Sequence, residues 1–253
     1  MRLTVIGCSG SYPGPDSPAS CYLVEDERDG RTWRILLDLG SGALGALQQY
    51  VDPLTVDAVF LSHLHPDHVS DITGFYVLRR YHPDGPQPRI PVYGPKGTAN
   101  RMASAYGLSQ SPGMHDEFDF RVLEEDQPVV VGPFTVTVAK VVHPVEAFAI
   151  RVSDGQGSFV YSGDTAPSDA LVRLAKGSDL LLAEASFREG VENPEELHMT
   201  GKEAAEAALE AGVGTLVLTH IPPWYDKQET LAEAEPVYDG RLELARSGAT
   251  YDL

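Results

Sequence analysis

The 253-residue chain carries 37 Asp and Glu against 19 Lys and Arg, a formal net charge of −18, so its average surface repels polyanions and lacks the basic footprint of a nucleic-acid binder. Hydrophobic residues make up 42 % of the chain and the 24 Gly and 19 Pro are scattered, which excludes a low-complexity or disordered polypeptide. Two cysteines, Cys8 and Cys21, cannot build a disulfide framework and lack the paired spacing of a thiolate zinc site, so both are expected to be reduced and buried.

From the N-terminus, Met-Arg-Leu-Thr-Val-Ile-Gly runs straight into a strand-like segment. It shows no signal-peptide organisation, and no apolar stretch is long enough to span a bilayer, so the expectation is a cytoplasmic protein with no membrane partner. Short β-runs follow at Leu3 to Ile6, Ser20 to Val24, Trp33 to Leu37 and Ala58 to Leu61, punctuated by Gly and Pro. Helical patterns interleave at about Gly42 to Tyr50, Asp71 to Arg80 and Gly97 to Tyr106. The small basic cluster Arg79, Arg80 and His82 is a local patch for a compact phosphorylated ligand. Residues 107–117 have no period and read as a loop or flap, and His82 and His115 read as solvent-facing.

The second half repeats the theme, with strands near Phe118 to Val122, Val129 to Val131, Thr135 to Val142, Ala147 to Val152, Gly157 to Tyr161, Leu180 to Glu184 and Thr215 to Leu218. Helices follow Ser168 and Thr200, and Thr200-Gly-Lys-Glu203 is a capping-box signature. Two β-rich halves with interspersed helices predict an α/β (α+β) chain of two mixed sheets packed face to face, with helices on the outer faces. One domain, 1–253, is expected.

The segment with the clearest chemistry is Ser62-His63-Leu64-His65-Pro66-Asp67-His68, directly after the apolar run Ala58 to Leu61. Imidazole nitrogens and carboxylate oxygens suit zinc and similar divalent ions, and ligands at a strand end sit on a rigid scaffold. In an extended loop His63 and His65 project to one side, and the turn at Pro66 re-aims Asp67 and His68, so one loop serves two adjacent ions. Three further candidates also follow apolar runs: His143, Asp164 in Tyr161-Ser-Gly-Asp-Thr165, and His220 in Leu216-Val-Leu-Thr-His220. Their shared placement predicts convergence on one sheet edge.

In order and context these residues resemble the metallo-β-lactamase superfamily, whose signature is His-x-His-x-Asp-His followed by a distant His, Asp and His. The match runs over nearly the whole chain. The resemblance implies an αββα four-layer sandwich. It further implies two divalent metal ions, one held by His63, His65 and His143 and the other by Asp67, His68 and His220, with Asp164 bridging and a hydroxide between them. Zinc is the first choice, with manganese, iron and nickel compatible with the same N/O donors. Asp38, in Leu37-Asp-Leu-Gly40, matches a position that orients a metal-bound histidine in that superfamily.

Within the superfamily, Ser162 to Thr165, Glu184-Ala185 and His198-Met-Thr200 look like the ribonuclease Z-like phosphodiesterase branch. By that likeness Asp67, His198 and Glu184 are catalytic, His198 as a non-ligand histidine and Glu184 as its orienting partner. His198 precedes a capped helix N-terminus, where free amides and the helix dipole favour phosphate. Bacterial ribonuclease Z enzymes carry a long basic arm between the residues matching His143 and Asp164, whereas here 20 residues separate the two. Long nucleic acid is therefore disfavoured as a partner, and a small-molecule phosphodiester such as a cyclic nucleotide is the expected substrate. A tRNA 3′-end endonuclease and an acyl hydrolase acting on a lactone, thioester or β-lactam are the alternatives. Trp224 and Tyr225, just past His220, are positioned to stack on a base. The ribonuclease Z likeness also makes a homodimer an open expectation.

Overall fold

Apolar side chains alternate between two buried faces along most strands, and this alternation sets the layers of the molecule. The computed structural model describes residues 1–253. One seven-stranded sheet contains β1 (Arg2–Gly7), β2 (Cys21–Arg28), β3 (Arg31–Leu37), β4 (Ala58–Phe60), β5 (Ile90–Gly94) and β6 (Phe118–Val122), joined at the edge beside β1 by the C-terminal strand β14 (Thr250–Asp252). The second contains β7 (Val129–Val131), β8 (Phe134–Lys140), β9 (Phe148–Ser153), β10 (Ser158–Tyr161), β11 (Leu180–Glu184), β12 (Thr215–Thr219) and β13 (Arg241–Leu244), in the spatial order β13-β12-β11-β10-β9-β8-β7. Both sheets are mixed: β1, β2 and β3 pair antiparallel and β3 to β6 parallel, while β8, β9 and β10 pair antiparallel and β10 to β13 parallel.

The inner layer, between the sheets, takes one side-chain set: Leu3, Val5, Tyr22, Val24, Ile35 and Leu37 from the first sheet meet Phe159, Tyr161, Leu180, Leu182 and Val217 from the second. The intervening residues point outward. Ile6, Cys21, Leu23 and Leu36 pack under α1 (Ala43–Leu47), α3 (Ile72–Arg80) and α4 (Thr98–Tyr106). Val160, Leu181, Leu216 and Leu218 pack under α5 (Asp169–Ala175) and α6 (Gly201–Ala211). The face of α6 is built of Ala204, Ala205, Ala207, Ala208 and Ala211, whose small side chains let the helix approach the sheet closely. Helices thus flank two sheets in the αββα order expected. Both cysteines are buried and free, and no helix is long and apolar enough to cross a membrane.

The connection between β2 and β3 is a two-residue turn at Asp29-Gly30, both with positive φ (57° and 73°), the geometry that lets a hairpin keep its twist. More consequential for the site is polarity. The parallel runs β3–β4 and β10–β11–β12 deliver their C-terminal ends to one rim, and β8, antiparallel to β9 as β9 is to β10, ends there too. Ligands in open α/β sheets bind at such carboxyl ends.

Several elements were not expected from the sequence. Strand β5 contains Pro91 in a Pro-rich stretch, β13 and β14 are short and charged, and both α2 (Pro66–Val69) and α7 (Lys227–Ala234) are brief. The basic cluster does not form a phosphate patch. Arg79 is buried with its guanidinium near the Phe75 ring and bonded to the Pro88 carbonyl, Arg80 pairs with Glu117 at 2.6 Å, and His82 is half-buried rather than solvent-facing. The 107–117 segment is anchored by fully buried Met114 and by Glu117, while His115 is exposed as expected.

Candidate metal centre

The residues at the strand ends form two groups that share one carboxylate. His63, His65, His143 and Asp164 offer ligand atoms within 4.8 Å of one another, and so do Asp67, His68, Asp164 and His220. All seven residues expected from the sequence are therefore brought together. His63 follows β4, Asp164 follows β10, His220 follows β12 and His143 follows β8. His65 is extended (φ −72°, ψ 150°), and Pro66 opens the single turn α2 with its ring at the first helical position, where the missing N–H is no loss. That turn carries Asp67 and His68 to the other side, as the spacing predicts.

The outer nitrogens of the histidines are held by partners that fix the inner ones. His143 Nδ1 donates to the Leu197 carbonyl (2.9 Å) and His68 Nδ1 to Asp38 Oδ2 (2.7 Å). Ser62 Oγ gives its proton to Asp38 Oδ2 (2.8 Å), so it accepts from His63 Nδ1 (3.1 Å). His220 Nδ1 meets Ser20 Oγ at 2.9 Å. The contacts of His143, His68 and His63 set tautomers whose Nε2 lone pair faces inward.

The inward atoms fit a divalent cation. His63 Nε2 and His143 Nε2 lie 3.0 and 3.2 Å from His65 Nδ1. Asp164 Oδ2 lies 3.6 Å from His63 Nε2 and 3.2 Å from His220 Nε2. Asp67 Oδ2 is 3.5 Å from both His68 Nε2 and His220 Nε2. Ligands about 2.1 Å from a tetrahedral ion lie about 3.4 Å from each other. Buried His68 Nε2 and Asp164 Oδ1 lie 3.2 Å apart and have no partner besides each other; a cation between them would satisfy both.

Electrostatics agree. Burial pushes the His63 imidazole well below its usual pKa, with the neighbouring histidines adding to the effect, and burial likewise lowers His65 and His143, so these three are neutral imidazoles at physiological pH. Burial would raise Asp164, yet His220, His68 and His63 hold it well below the carboxylate range; Asp67 is held down against burial by His68 and then His220. His68 is pushed up against burial by Asp164 and Asp38 on either side, a site for a positive charge.

A third group, Asp164, Glu184 and His198, has other work. Glu184 Oε1 accepts from the Thr165 amide (2.9 Å) and meets His198 Nδ1 at 2.8 Å, and Oε2 accepts from the Ser186 amide (3.1 Å). With both oxygens engaged, Glu184 is an anchor for His198 rather than an ion ligand. The His198 ring lies 5.6 Å from that of His143 and 5.8 Å from that of His220, bridging the two groups. Burial disfavours its charge, but Glu184 dominates and pushes the imidazole up to about 9.

One expectation fails here. The α6 N-terminus is not open to phosphate: the Glu203 amide bonds Thr200 Oγ1, Glu203 Oε2 takes the Thr200 amide, and Glu233 takes the Gly201 amide. Three residues with evident roles were not singled out from the sequence. Ser20 and Ser62 orient ligand histidines, and the buried Tyr161 hydroxyl donates to Asp38 Oδ2 (2.8 Å); a polar residue at a strand end beside a ligand was the only local signal. Tyr225 is not a free stacking surface, since the Arg188 guanidinium lies 4.9 Å over its ring.

Comparison with known proteins follows the same lines. Residues 33–221 match the family model of the beta-lactamase superfamily domain. The uncharacterized protein ML1173 of Mycobacterium leprae is 44 % identical over 257 residues, covering 100 % of this chain and 89 % of its own. The probable metallo-hydrolase YhfI of Bacillus subtilis is 32 % identical with full coverage of both, and its crystal structure superimposes with a TM-score of 0.86 at 31 % identity over 99 % of each chain. Ribonuclease Z of Myxococcus xanthus is 29 % identical over 309 positions, covering 100 % of this chain and 98 % of its own. The chain belongs to the beta-lactamase superfamily, as a hydrolase of the metallo-β-lactamase fold with a His and Asp cluster suited to divalent metal.

Proposed function

We propose that the chain is a dinuclear phosphodiesterase acting on a small diester, with a cyclic nucleotide as first candidate and zinc as first candidate metal. The observation that carries this reading is His198: a histidine outside both ligand groups, anchored on Glu184 at 2.8 Å and adjoining both of them.

His63, His65 and His143 would hold one ion and Asp67, His68 and His220 the other, with Asp164 between. Bound there, divalent ions supply Lewis-acid charge and lower the pKa of water. The chain's own residues do the rest. Glu184 fixes the His198 ring through Nδ1 and keeps it protonated, so Nε2–H is available to the leaving oxygen of a diester as general acid.

Three features favour a small diester over tRNA. The path from His143 to Asp164 is filled by the β9–β10 hairpin, whose turn is the four residues 154–157, leaving no room for an arm. The alignment with ribonuclease Z extends over 309 positions against 253 residues here, so that relative carries segments without counterpart in this chain. A net charge of −18 offers little counterion release to a long polyanion.

The test is a screen of metal-free protein reloaded with zinc, manganese or cobalt against cyclic AMP, bis(p-nitrophenyl) phosphate, pre-tRNA and a lactone panel. Metal-dependent turnover of the small diesters is expected. Turnover confined to pre-tRNA or to lactones would overturn the reading.

A further inference from the structure

Two exposed aromatic rings stand on loops far apart in sequence, both attached to the segment that carries His220. Tyr12 is 45 % exposed and Trp224 57 % exposed, yet their ring centroids are 5.4 Å apart with planes inclined at 37°. The loops that carry them are fastened to the ligand His220. Ser9 bridges Ile221, the Gly10 amide donates to the Ile221 carbonyl (3.2 Å), and Gly10 lies so close to the His220 backbone that a Cβ would stand 2.1 Å from its carbonyl oxygen. Further out, Gly14 packs on Pro223 and its amide bonds the Ser17 carbonyl (2.9 Å). Trp224 itself is braced edge-on by Tyr225, 5.9 Å away, which Arg188 in turn holds. Only three residues separate Trp224 from His220, so its backbone lies within about 14 Å of that histidine's.

We infer that Tyr12 and Trp224 form an aromatic platform that stacks the nucleobase of a mononucleotide substrate while its phosphate occupies the metal centre. The inference rests on the phosphodiester reading and adds the class of the ester. Large aromatic faces left in water gain by stacking on a planar ring, and the gain is tolerant of which base is present. Stacking would add to the affinity that the phosphate gains at the metal centre. The platform is fixed before binding, because both loops are locked to each other and to His220, so little ordering is needed when a ring arrives.

Calorimetric titration of the zinc-loaded full chain with AMP and, separately, with ribose 5-phosphate tests the inference without requiring turnover. AMP is expected to bind the wild type more tightly than ribose 5-phosphate. Trp224→Ala and Tyr12→Ala should weaken AMP by about 5- to 100-fold and leave ribose 5-phosphate unchanged, with Trp224→Phe retaining most of the affinity. Equal affinities of the wild type for the two ligands, or equal losses for both in the variants, would overturn the platform. So would a change in sedimentation of Trp224→Ala, which would mean that the rings cover a second copy of the chain. Failure of the phosphodiester reading shows separately, as AMP binding intact while no diester is turned over.

Discussion

Asp38 and His68 share a hydrogen bond of 2.7 Å between Oδ2 and Nδ1, with both side chains fully buried. The same carboxylate accepts from the Ser62 amide (2.7 Å), the Ser62 hydroxyl and the Tyr161 hydroxyl. Asp38 adopts a left-handed backbone, φ 58°, which Asp tolerates better than most residues. One anion thus orients His68 directly and His63 through Ser62, tying both ligand groups to the end of β3. Asp38→Asn keeps the shape but removes the charge, so zinc affinity should fall about 10- to 100-fold. Asp38→Ala leaves four donors buried without an acceptor, and unfolding free energy should drop by roughly 3–5 kcal/mol. Competition with a chelating dye and urea unfolding read the two effects; zinc affinity unchanged in Asp38→Asn would sink the orienting role.

His198 belongs to neither ligand group, and this separates binding from chemistry. His198→Ala should lower kcat/KM for a small phosphodiester by about 10²- to 10⁴-fold while metal content, measured by inductively coupled plasma spectrometry, stays at the wild-type level. Glu184→Gln should lower it less, because the amide can still accept from Thr165 but no longer holds the charge of His198. Loss of metal in His198→Ala would make the residue a ligand instead.

The convergence of the seven residues was legible because the segments that carry them follow runs of apolar strand residues, and the parallel runs of the two sheets bring such ends to one rim. Asp38 could be named for the same reason. Tyr12 could not: its partner Trp224 is far along the chain, and only the close approach at Gly10 brings the loops together. The misreading of the α6 N-terminus has a different origin. Thr200 and Glu203 signalled a capping box correctly, but Glu233, which takes the Gly201 amide, arrives from α7. Strand β5 was hidden by Pro91, which precedes the start of the β4–β5 register at Val92. The start of α7 carried a readable signal, Asp226 accepting from the Gln228 amide.

Asp154, at the tip of the β9–β10 hairpin, supplies a pH-dependent contact away from the metal centre. Burial would raise its pKa, but the Gly157 amide, the Met1 ammonium at 2.9 Å and the Gln156 amide bring it down to about 2. A carboxyl depressed in the folded state stabilises above its unfolded pKa, near 3.9, and this contribution is lost as pH falls through the folded value. Wild type should therefore exceed Asp154→Asn in urea midpoint at pH 7. The gap should close between about pH 4 and pH 2. A gap independent of pH over that interval would show that the carboxylate's charge is not what matters.

Gly10 and Gly45 offer a matched pair for the rim that holds His220. At Gly10 a Cβ would lie 2.1 Å from the His220 carbonyl oxygen and 3.1 Å from its ring Cδ2, so the methyl of alanine must displace the ligand. His220 has little freedom to yield, since its backbone is already left-handed (φ 54°) and its Nδ1 is tied to Ser20. Gly45, inside α1, has nothing within 4 Å of its Cβ position, and alanine there should stabilise by about 0.5–1 kcal/mol through helix propensity. On the two-ion reading, Gly10→Ala is expected to lose the ion that Asp67, His68 and His220 would hold while keeping the one that His63, His65 and His143 would hold, so bound metal drops to roughly half the wild-type amount. Full metal content in Gly10→Ala would mean that the loop, and not His220, gives way.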